Sequence, residues 1–217
     1  YYIHVHDITI DRLPPTNLLN MNTERVGRLL FAVGVFIAWL ALFAPAAGNG
    51  ETRVSQLETQ LQNTKGADRI SLLIDLAKLY RARDVHKSYA FAKEAMNIPG
   101  APPTEKQRVI LLNQMSSACS KLSRHDESET LAQKAIELAK KTGDHKGIAD
   151  ALLNLSSVKF YKTQYDRSLE LAEQAAEAYE KVNHQVGIAL TRQTRGTIYF
   201  KIGDYESALG NFLEAAK

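Results

Sequence analysis

This sequence of 217 residues has little of several features that define whole classes of protein. It contains one cysteine, Cys119, so it cannot form an intramolecular disulfide, and we interpret this residue as a small buried filler. Neither sign of charge dominates, because 27 Lys and Arg residues are interspersed with 24 Asp and Glu residues. This pattern is typical of solvated helix faces and argues against nucleic-acid binding.

Motifs of catalysis and cofactor binding are also missing. The sequence has no phosphate-binding loop, no G-x-G-x-x-G, no H-E-x-x-H, no C-x-x-C and no G-x-S-x-G. His4 and His6 form an H-x-H, but no third metal ligand lies nearby, so we interpret them as an accidental pair. Four other histidines fall at predicted turns and are expected to be exposed: His86, His125, His145 and His184. We therefore predict no enzymatic activity, no cofactor and no bound metal.

Only one long apolar run occurs in the chain, at residues 29–43. Met21, Arg25 and Arg28 precede this run and a segment of small residues follows it, which is the pattern of a secretory signal peptide. A run of about 15 residues is at the upper end for such a signal. Counted through Ala47, the segment is long enough to span a bilayer core.

We predict a signal peptide or membrane anchor over residues 21–47. The small residues at its end favour cleavage over an uncleaved anchor, and a helix that is apolar on every side is least compatible with a soluble core. Residues 1–20 do not begin with Met and are interrupted by Pro14-Pro15. We predict that they are disordered or a non-native lead-in.

From Glu51 onward the sequence indicates helices throughout. Glycine and proline fall mostly between periodic segments, as at Gly143 and Gly203, and Thr104 with Gln107 has the spacing of a capping box. The predicted helices cover residues 54–63, 67–83, 86–98, 104–122, 125–141, 145–162, 165–181, 185–202 and 205–217.

The same part of the chain repeats with a period of 40 residues. Gly147-Ile148-Ala149 matches Gly187-Ile188-Ala189, and Ala175 matches Ala215. A repeat of two helices predicts a helical solenoid, because each hairpin can bury its apolar face only against its neighbours. We therefore predict an all-α solenoid over residues 51–217, with three repeats and a partial fourth that continues beyond the C-terminus.

The fourth copy, RGTIYFKIGDYESALGNFLEAAK, resembles the tetratricopeptide repeat. The positions that carry the family pattern are Gly196, Tyr199, Ala208, Phe212 and Ala215. The third copy has Ser156, Lys159, Ser168, Ala172 and Ala175 there, and the second has Ser116, Cys119, Ser128, Ala132 and Ala135. The family's Trp and inter-repeat Pro are absent, and the period is longer than usual. The resemblance covers residues 67–217 and implies a right-handed α-α superhelix of antiparallel helix pairs.

In the tetratricopeptide family the first helix of each pair lines a concave groove that binds the ligand. The groove residues implied by the resemblance are Asn113, Ser117, Ser120 and Lys121 in the second copy, Asp150, Leu153, Ser157, Phe160 and Tyr161 in the third, and Leu190, Gln193, Thr197, Phe200 and Lys201 in the fourth. Among these only Lys121 and Lys201 are basic, so the family's clamp for peptide carboxylates is not reproduced and a neutral groove is expected. Phe160 and Phe200 are either packing residues or exposed anchors for an apolar peptide side chain.

The resemblance implies a module that binds a protein or a peptide in this groove. Together with the N-terminal segment, it is similar to the exported N-terminal region of bacterial membrane signalling proteins such as sensor histidine kinases. We therefore expect a periplasmic or membrane-anchored module, held by the N-terminal segment or a later span, and a homodimer is left open. The alternative is an envelope scaffold or assembly factor with no signalling output.

Overall fold

The computed structural model describes residues 47–217, with side chains from Arg53 onward. The predicted lead-in over residues 1–20 lies outside the described residues. The predicted signal or anchor segment also lies outside them, except for its last residue, Ala47. None of the helices in the described part is long and apolar enough to cross a membrane. Residues 52–217 form one compact unit, which is described by itself.

Between residues 47 and 217 the chain is helical and contains no strand, so the all-α prediction is confirmed for this part. Most predicted bounds agree with the observed ones to within two residues, but the first helix begins well before residue 54 and the second ends before residue 83. The helices are α1 (Ala47–Asn63), α2 (Gly66–Tyr80), α3 (Val85–Met96), α4 (Glu105–Lys121), α5 (His125–Thr142), α6 (His145–Tyr161), α7 (Tyr165–Glu180), α8 (Gln185–Ile202) and α9 (Tyr205–Ala215).

The predicted signals for helix ends are confirmed at three places. Thr104 and Gln107 form the capping box: Gln107 N donates to Thr104 Oγ1 over 3.3 Å, and Thr104 N donates to Gln107 Oε1 over 2.9 Å. Gly143 and Gly203 follow α5 and α8 with φ of 65° and 88°. Both glycines therefore end their helices in the left-handed region, where a side chain is disfavoured.

Four hairpins follow one another along the chain, namely α2–α3, α4–α5, α6–α7 and α8–α9. Helix α4 contacts both α2 and α6, and α6 also contacts α8. No such contact joins α3 to α5 or α5 to α7. The first helices of the hairpins are thus closer together than the second helices, which curves the array and places the first helices on its concave side.

Pairs of buried serines hold the two helices of the second and third hairpins together. Ser116 Oγ donates to the carbonyl oxygen of Ser128 (2.9 Å), and Ser128 Oγ donates to that of Ser116 (2.7 Å). Ser156 and Ser168 make the same reciprocal bonds at 2.8 and 2.7 Å. Small side chains allow the helices to approach, and the hydroxyl groups are satisfied without water. The serines that depart from the family pattern therefore occupy equivalent helix crossings.

Two glycines, also matched by the repeat, allow neighbouring hairpins to pack closely. A Cβ atom at Gly147 would lie 2.4 Å from Val109 Cγ1, and one at Gly187 would lie 2.4 Å from the ring of Tyr179. Both distances are far below van der Waals contact. Gly147 thus allows α6 to approach α4, and Gly187 allows α8 to approach α7.

The two ends of the described array differ in how they are covered. Helix α1 buries Val54, Leu57 and Leu61 in the same apolar cluster as the first hairpin, and Tyr80 donates to Glu58 over 2.7 Å. At the other end, the large apolar side chains of α9 remain exposed, and no helix within residues 52–217 covers them.

Candidate ligand-binding surface

Nine of the fourteen predicted groove residues line one of two depressions on the concave side. The first depression is lined by Asn113, Ser117, Asp150, Leu153 and Leu190 of the predicted set. The second is lined by Ser157, Phe160, Tyr161 and Thr197. The remaining predicted residues line neither of them: Ser120, Lys121, Gln193, Phe200 and Lys201.

We name the first depression the basic cleft. It has a volume of about 280 Å³ and is lined by residues from all four first helices, together with the end of α7 and the turn that follows. Its lining residues are Lys78, Arg81, Asn113, Gln114, Ser117, Lys146, Asp150, Leu153, Asn154, Tyr179, His184, Val186 and Leu190. A neighbouring depression of about 430 Å³ shares five of them, so the cleft continues toward the turn between α5 and α6.

Asparagine side chains form the floor of the basic cleft and join adjacent hairpins. Asn154 Nδ2 donates to the carbonyl oxygen of Asn113 over 3.0 Å, and Asn113 Nδ2 donates to that of Gly147 over 2.9 Å. Asn113 is only 5% exposed. The resemblance implies that Asn113 contacts a ligand in the groove. In the structure its buried amide also joins α4 to α6 and so fixes their spacing.

Two side-chain oxygens of the cleft accept no hydrogen bond from the described residues. They are Asn113 Oδ1 and Gln114 Oε1, and both are closed off from solvent. Buried acceptors of this kind are normally satisfied, since each one left without a donor is destabilising. The cleft therefore offers acceptor groups that the described part of the chain itself does not satisfy.

Positive charge exceeds negative charge among the side chains that line the cleft. Lys78, Arg81 and Lys146 are its cations, and Asp150 is its only carboxylate. Asp150 is already engaged, because Tyr179 donates to its Oδ1 over 2.6 Å and Lys146 pairs with its Oδ2 at 2.7 Å. Burial, reinforced by this carboxylate, raises the pKa of Tyr179, so the phenol remains a donor.

The expectation of a neutral groove concerned only the implied residues, and it does not describe the basic cleft, whose three cations lie outside that set. The groove positions implied by the resemblance begin in the second repeat, but a shift of 39 residues aligns Lys78 of the first repeat with Ser117 and Arg81 with Ser120. Extending the groove positions to the first repeat would have found both cations. Lys146 lies before the aligned positions of α6, so the repeat gives no signal for it.

We name the second depression the aromatic pocket. It has a volume of about 150 Å³ between α6 and α8 and is lined by Ser157, Phe160, Tyr161, Thr194, Thr197 and Ile198. The ring of Phe160 is half-buried and lies 5.6 Å from that of Tyr161 and 5.7 Å from that of Tyr165. Tyr161 is 54% exposed and stacks on His125. Phe160 is thus partly a packing residue, and Tyr161 offers the more accessible ring.

Other predicted groove residues have different surroundings. Ser120 is buried, while Gln193 and Lys201 are exposed. Lys121 Nζ donates to the carbonyl oxygen of Arg81 over 2.9 Å, and burial together with the charge of Arg81 lowers the pKa of Lys121. Phe200 is 59% exposed beside the ring of Tyr205, although the repeat aligns it with Phe160.

The structure also shows whether Cys119 is buried and whether the four turn histidines are exposed, as the sequence predicts. Cys119 is buried, as predicted, and burial raises the pKa of its thiol to about 11.

The expectation of exposed turn histidines is wrong for two residues. His125 and His184 are half-buried, and His184 Nδ1 accepts a hydrogen bond from Gly187 N over 2.9 Å at the start of α8. Within the described residues, no group of three His, Cys, Asp or Glu side chains could hold a metal ion.

Comparison with known families identifies the repeat. A family model described as "Tetratricopeptide repeat" matches residues 107–181 and 147–217, two overlapping stretches that together span more than half of the chain. No curated protein sequence matches the chain.

Solved structures show the same fold. A Rap protein complexed with Competence and Sporulation Factor has a TM-score of 0.68 at 20% identity, over 78% of this chain and 49% of that one. Aspartyl phosphate phosphatase F from Bacillus subtilis has a TM-score of 0.62 at 15% identity, over 77% and 48%. The apo form of RapI has a TM-score of 0.58 at 16% identity, over 83% and 66%. The aligned region thus spans about half the length of the first two proteins.

Proposed function

The chain belongs to the tetratricopeptide repeat family, and on this premise we propose that its concave side binds an extended segment of a protein or peptide. The observation that carries the proposal is the basic cleft, which all four first helices help to line. It combines cations, amide groups and apolar side chains in one continuous depression. A polypeptide presents the matching groups, namely backbone amides, side-chain charges and apolar side chains.

The similar Rap structure contains Competence and Sporulation Factor. At 20% identity this likeness extends to the fold and not to the residues that make contacts. It supports the proposal only in that a protein containing an array of this fold is complexed with a factor. The identity of the ligand has to be argued from the side chains of this chain.

The binding proposal can be tested by selecting phage-displayed random 12-residue peptides on residues 52–217. The test variant is Ser117→Trp, because Ser117 is a small residue of the cleft and an indole there would fill the depression. The matched control is Thr130→Trp, an exposed position on α5. We expect Ser117→Trp to weaken the selected peptides at least tenfold in fluorescence anisotropy and Thr130→Trp to have no effect. Circular dichroism would show that both variants keep their helices. Binding that survives Ser117→Trp in a folded protein would contradict the proposal.

We also propose that the module works outside the cytoplasm, as the sensory or interaction region of a larger envelope protein. The support is the sequence of residues 21–47, with its arginines, apolar run and small residues. N-terminal sequencing of the protein purified from its native cells tests this. A mature terminus near Ala47 would support export with cleavage, and one at Met21 in the membrane fraction would support an anchor. A terminus at Tyr1 in the soluble fraction would contradict the proposal.

A further inference from the structure

The side chains of the basic cleft favour one class of ligand. We propose that it binds an acidic peptide segment, whose carboxylates pair with Lys78, Arg81 and Lys146 and whose backbone N–H groups reach Asn113 and Gln114. This inference rests on the proposed function, since it specifies which polypeptide segment the concave side takes.

The first argument is that the cations of the cleft are poorly compensated. Arg81 forms no ion pair among the described residues. Lys78 has only Asp75, at 3.5 Å and with both side chains about half exposed, which is a weak pair. Lys146 shares Asp150 with the phenol of Tyr179. A ligand carboxylate would therefore meet cations without displacing a strong internal pair.

A fourth cation, outside the lining of the cleft, adds to this field. Lys121 lies against the carbonyl oxygen of Arg81, where burial and the neighbouring guanidinium lower its pKa. Burial is the larger cause of the lowered pKa, and repulsion between the positive charges of Lys121 and Arg81 adds to it. An anion bound near Arg81 would relieve that repulsion.

The unpaired acceptors distinguish a peptide from a small anion. Asn113 Oδ1 and Gln114 Oε1 require hydrogen-bond donors, and Asn113 is more than nine-tenths buried. A carboxylate brings acceptors only, and a hydrogen phosphate dianion brings a single O–H donor, which is fewer than the two oxygens require. An extended peptide brings carboxylates together with backbone N–H groups, so it can satisfy both the cations and the amide oxygens. Because both oxygens are closed off from solvent without a ligand, the two amide side chains have to turn toward the peptide when it binds.

The far side of the cleft adds an apolar preference. Leu153, Val186 and Leu190 line it, and both Val186 and Leu190 expose their side chains to solvent. Apolar side chains beside a row of cations suit a segment in which acidic and apolar residues alternate. This pattern separates the expected ligand from a purely acidic one.

The test uses three fluorescein-labelled peptides of one design, Gly-Leu-Xaa-Gly-Leu-Xaa-Gly-Leu-Xaa-Gly, in which Xaa is Asp, Asn or Lys. In fluorescence anisotropy with residues 52–217, we expect the Asp peptide to bind at least fivefold more tightly than the Asn peptide, and the Lys peptide not to bind. Raising NaCl from 50 to 300 mM should weaken the Asp peptide at least threefold, because exposed charges are screened.

Matched variants separate the cleft from the general charge of the protein. Lys78→Gln with Arg81→Gln should reduce binding of the Asp peptide at least fivefold. Lys93→Gln with Lys134→Gln removes the same charge from exposed positions on α3 and α5 and should leave binding unchanged. Gln114→Leu should weaken the Asp and Asn peptides by the same factor, because it removes an acceptor for the backbone. The four charged positions in these two double variants are exposed, so both variants should fold.

Each other outcome overturns a defined part of the account. If the Asp and Asn peptides bind equally and Ser117→Trp abolishes both, peptide binding stands and the acidic preference is wrong. If sodium phosphate at constant ionic strength displaces the Asp peptide completely and Gln114→Leu has no effect, the cleft binds small anions and the peptide assignment is wrong. If none of the peptides binds at millimolar concentration while phage-selected peptides do bind in the cleft, the ligand class is wrong. If no peptide of any kind depends on Ser117, the proposed function fails as well.

Discussion

The third and fourth hairpins carry the same sequence pattern, but their side chains have different surroundings. Val158 and its counterpart Ile198 are fully buried in both. Leu169 is half-buried, whereas its counterpart Leu209 is 60% exposed. The cause is that α7 is packed between its partner α6 and the following α8, while within residues 52–217 only its partner α8 packs on α9. A repeat pattern thus identifies which faces need a neighbour, and the position in the array decides whether a face has one.

The crossing of the two helices also differs between these hairpins. In the third, Ser156 and Ser168 exchange hydrogen bonds. In the fourth, Gly196 and Ala208 take their places, and the ring of Phe212 fills the space above the glycine, 2.7 Å from where a Cβ atom would lie. The same close approach is therefore held by hydroxyl groups in one hairpin and by an aromatic ring in the other.

The largest difference is expected from removing a leucine of the second helix in each hairpin. Leu171 of α7 is 4% exposed and belongs to a buried apolar cluster, so Leu171→Ala should lower the free energy of unfolding by about 2–5 kcal/mol. Leu209→Ala on α9 should change it by less than about 0.5 kcal/mol. Urea unfolding followed by circular dichroism measures both. Equal losses would show that α9 is as well covered as α7.

The next contrast is between two glycines. Gly187→Ala would push a methyl group into the Tyr179 ring, and we expect a loss of about 1–3 kcal/mol in the free energy of unfolding. Gly210 lies inside α9 with open space around its Cα, so Gly210→Ala should instead stabilise the protein by about 0.5–1 kcal/mol through helix propensity. The same urea experiment checks the opposite signs. Destabilisation by Gly210→Ala would indicate that something covers α9 in solution.

The smallest effect concerns the serine pair that the fourth hairpin lacks. Ser156→Ala and Ser168→Ala should each lower the free energy of unfolding by about 1 kcal/mol, since each removes one buried hydrogen bond. The double variant should lose less than the sum, because the two hydroxyl groups also contact each other at 3.0 Å. The exposed Ser71→Ala serves as a control that should lose nothing. Strict additivity would contradict a coupled pair.

Much of the fold could be predicted from the sequence because the repeat is visible in small and apolar residues. The turns show where this signal stops. Glycine identified the end of α8 at Gly203, but Ser123 and Thr163, at equivalent positions, also adopt positive φ, near 60°. The geometry of the turn is imposed there by the packed helices on each side, so a non-glycine residue accepts it.

The candidate site was harder to predict, for two physical reasons. Lys78 and Arg81 belong to the first repeat, whose sequence has diverged and whose turn is one residue shorter, so the repeat pattern is weakest there. Asn113 was expected at the surface of the groove, yet its side chain is buried by α6. A pattern of positions gives the face of a helix, but it does not give how deeply a neighbouring helix covers that face.

The most direct test of the account is an ¹⁵N-HSQC titration of residues 52–217 with a phage-selected peptide. If the concave side binds the peptide, the largest chemical-shift changes will be at amides of α4, α6 and α8 around the basic cleft, including Ser117, Asn154 and Leu190. The second helices α3 and α5 will change little, as will α7 before its last turn, where Tyr179 lines the cleft. Changes concentrated on α3, α5 and α7, or on the exposed face of α9, would contradict the central claim.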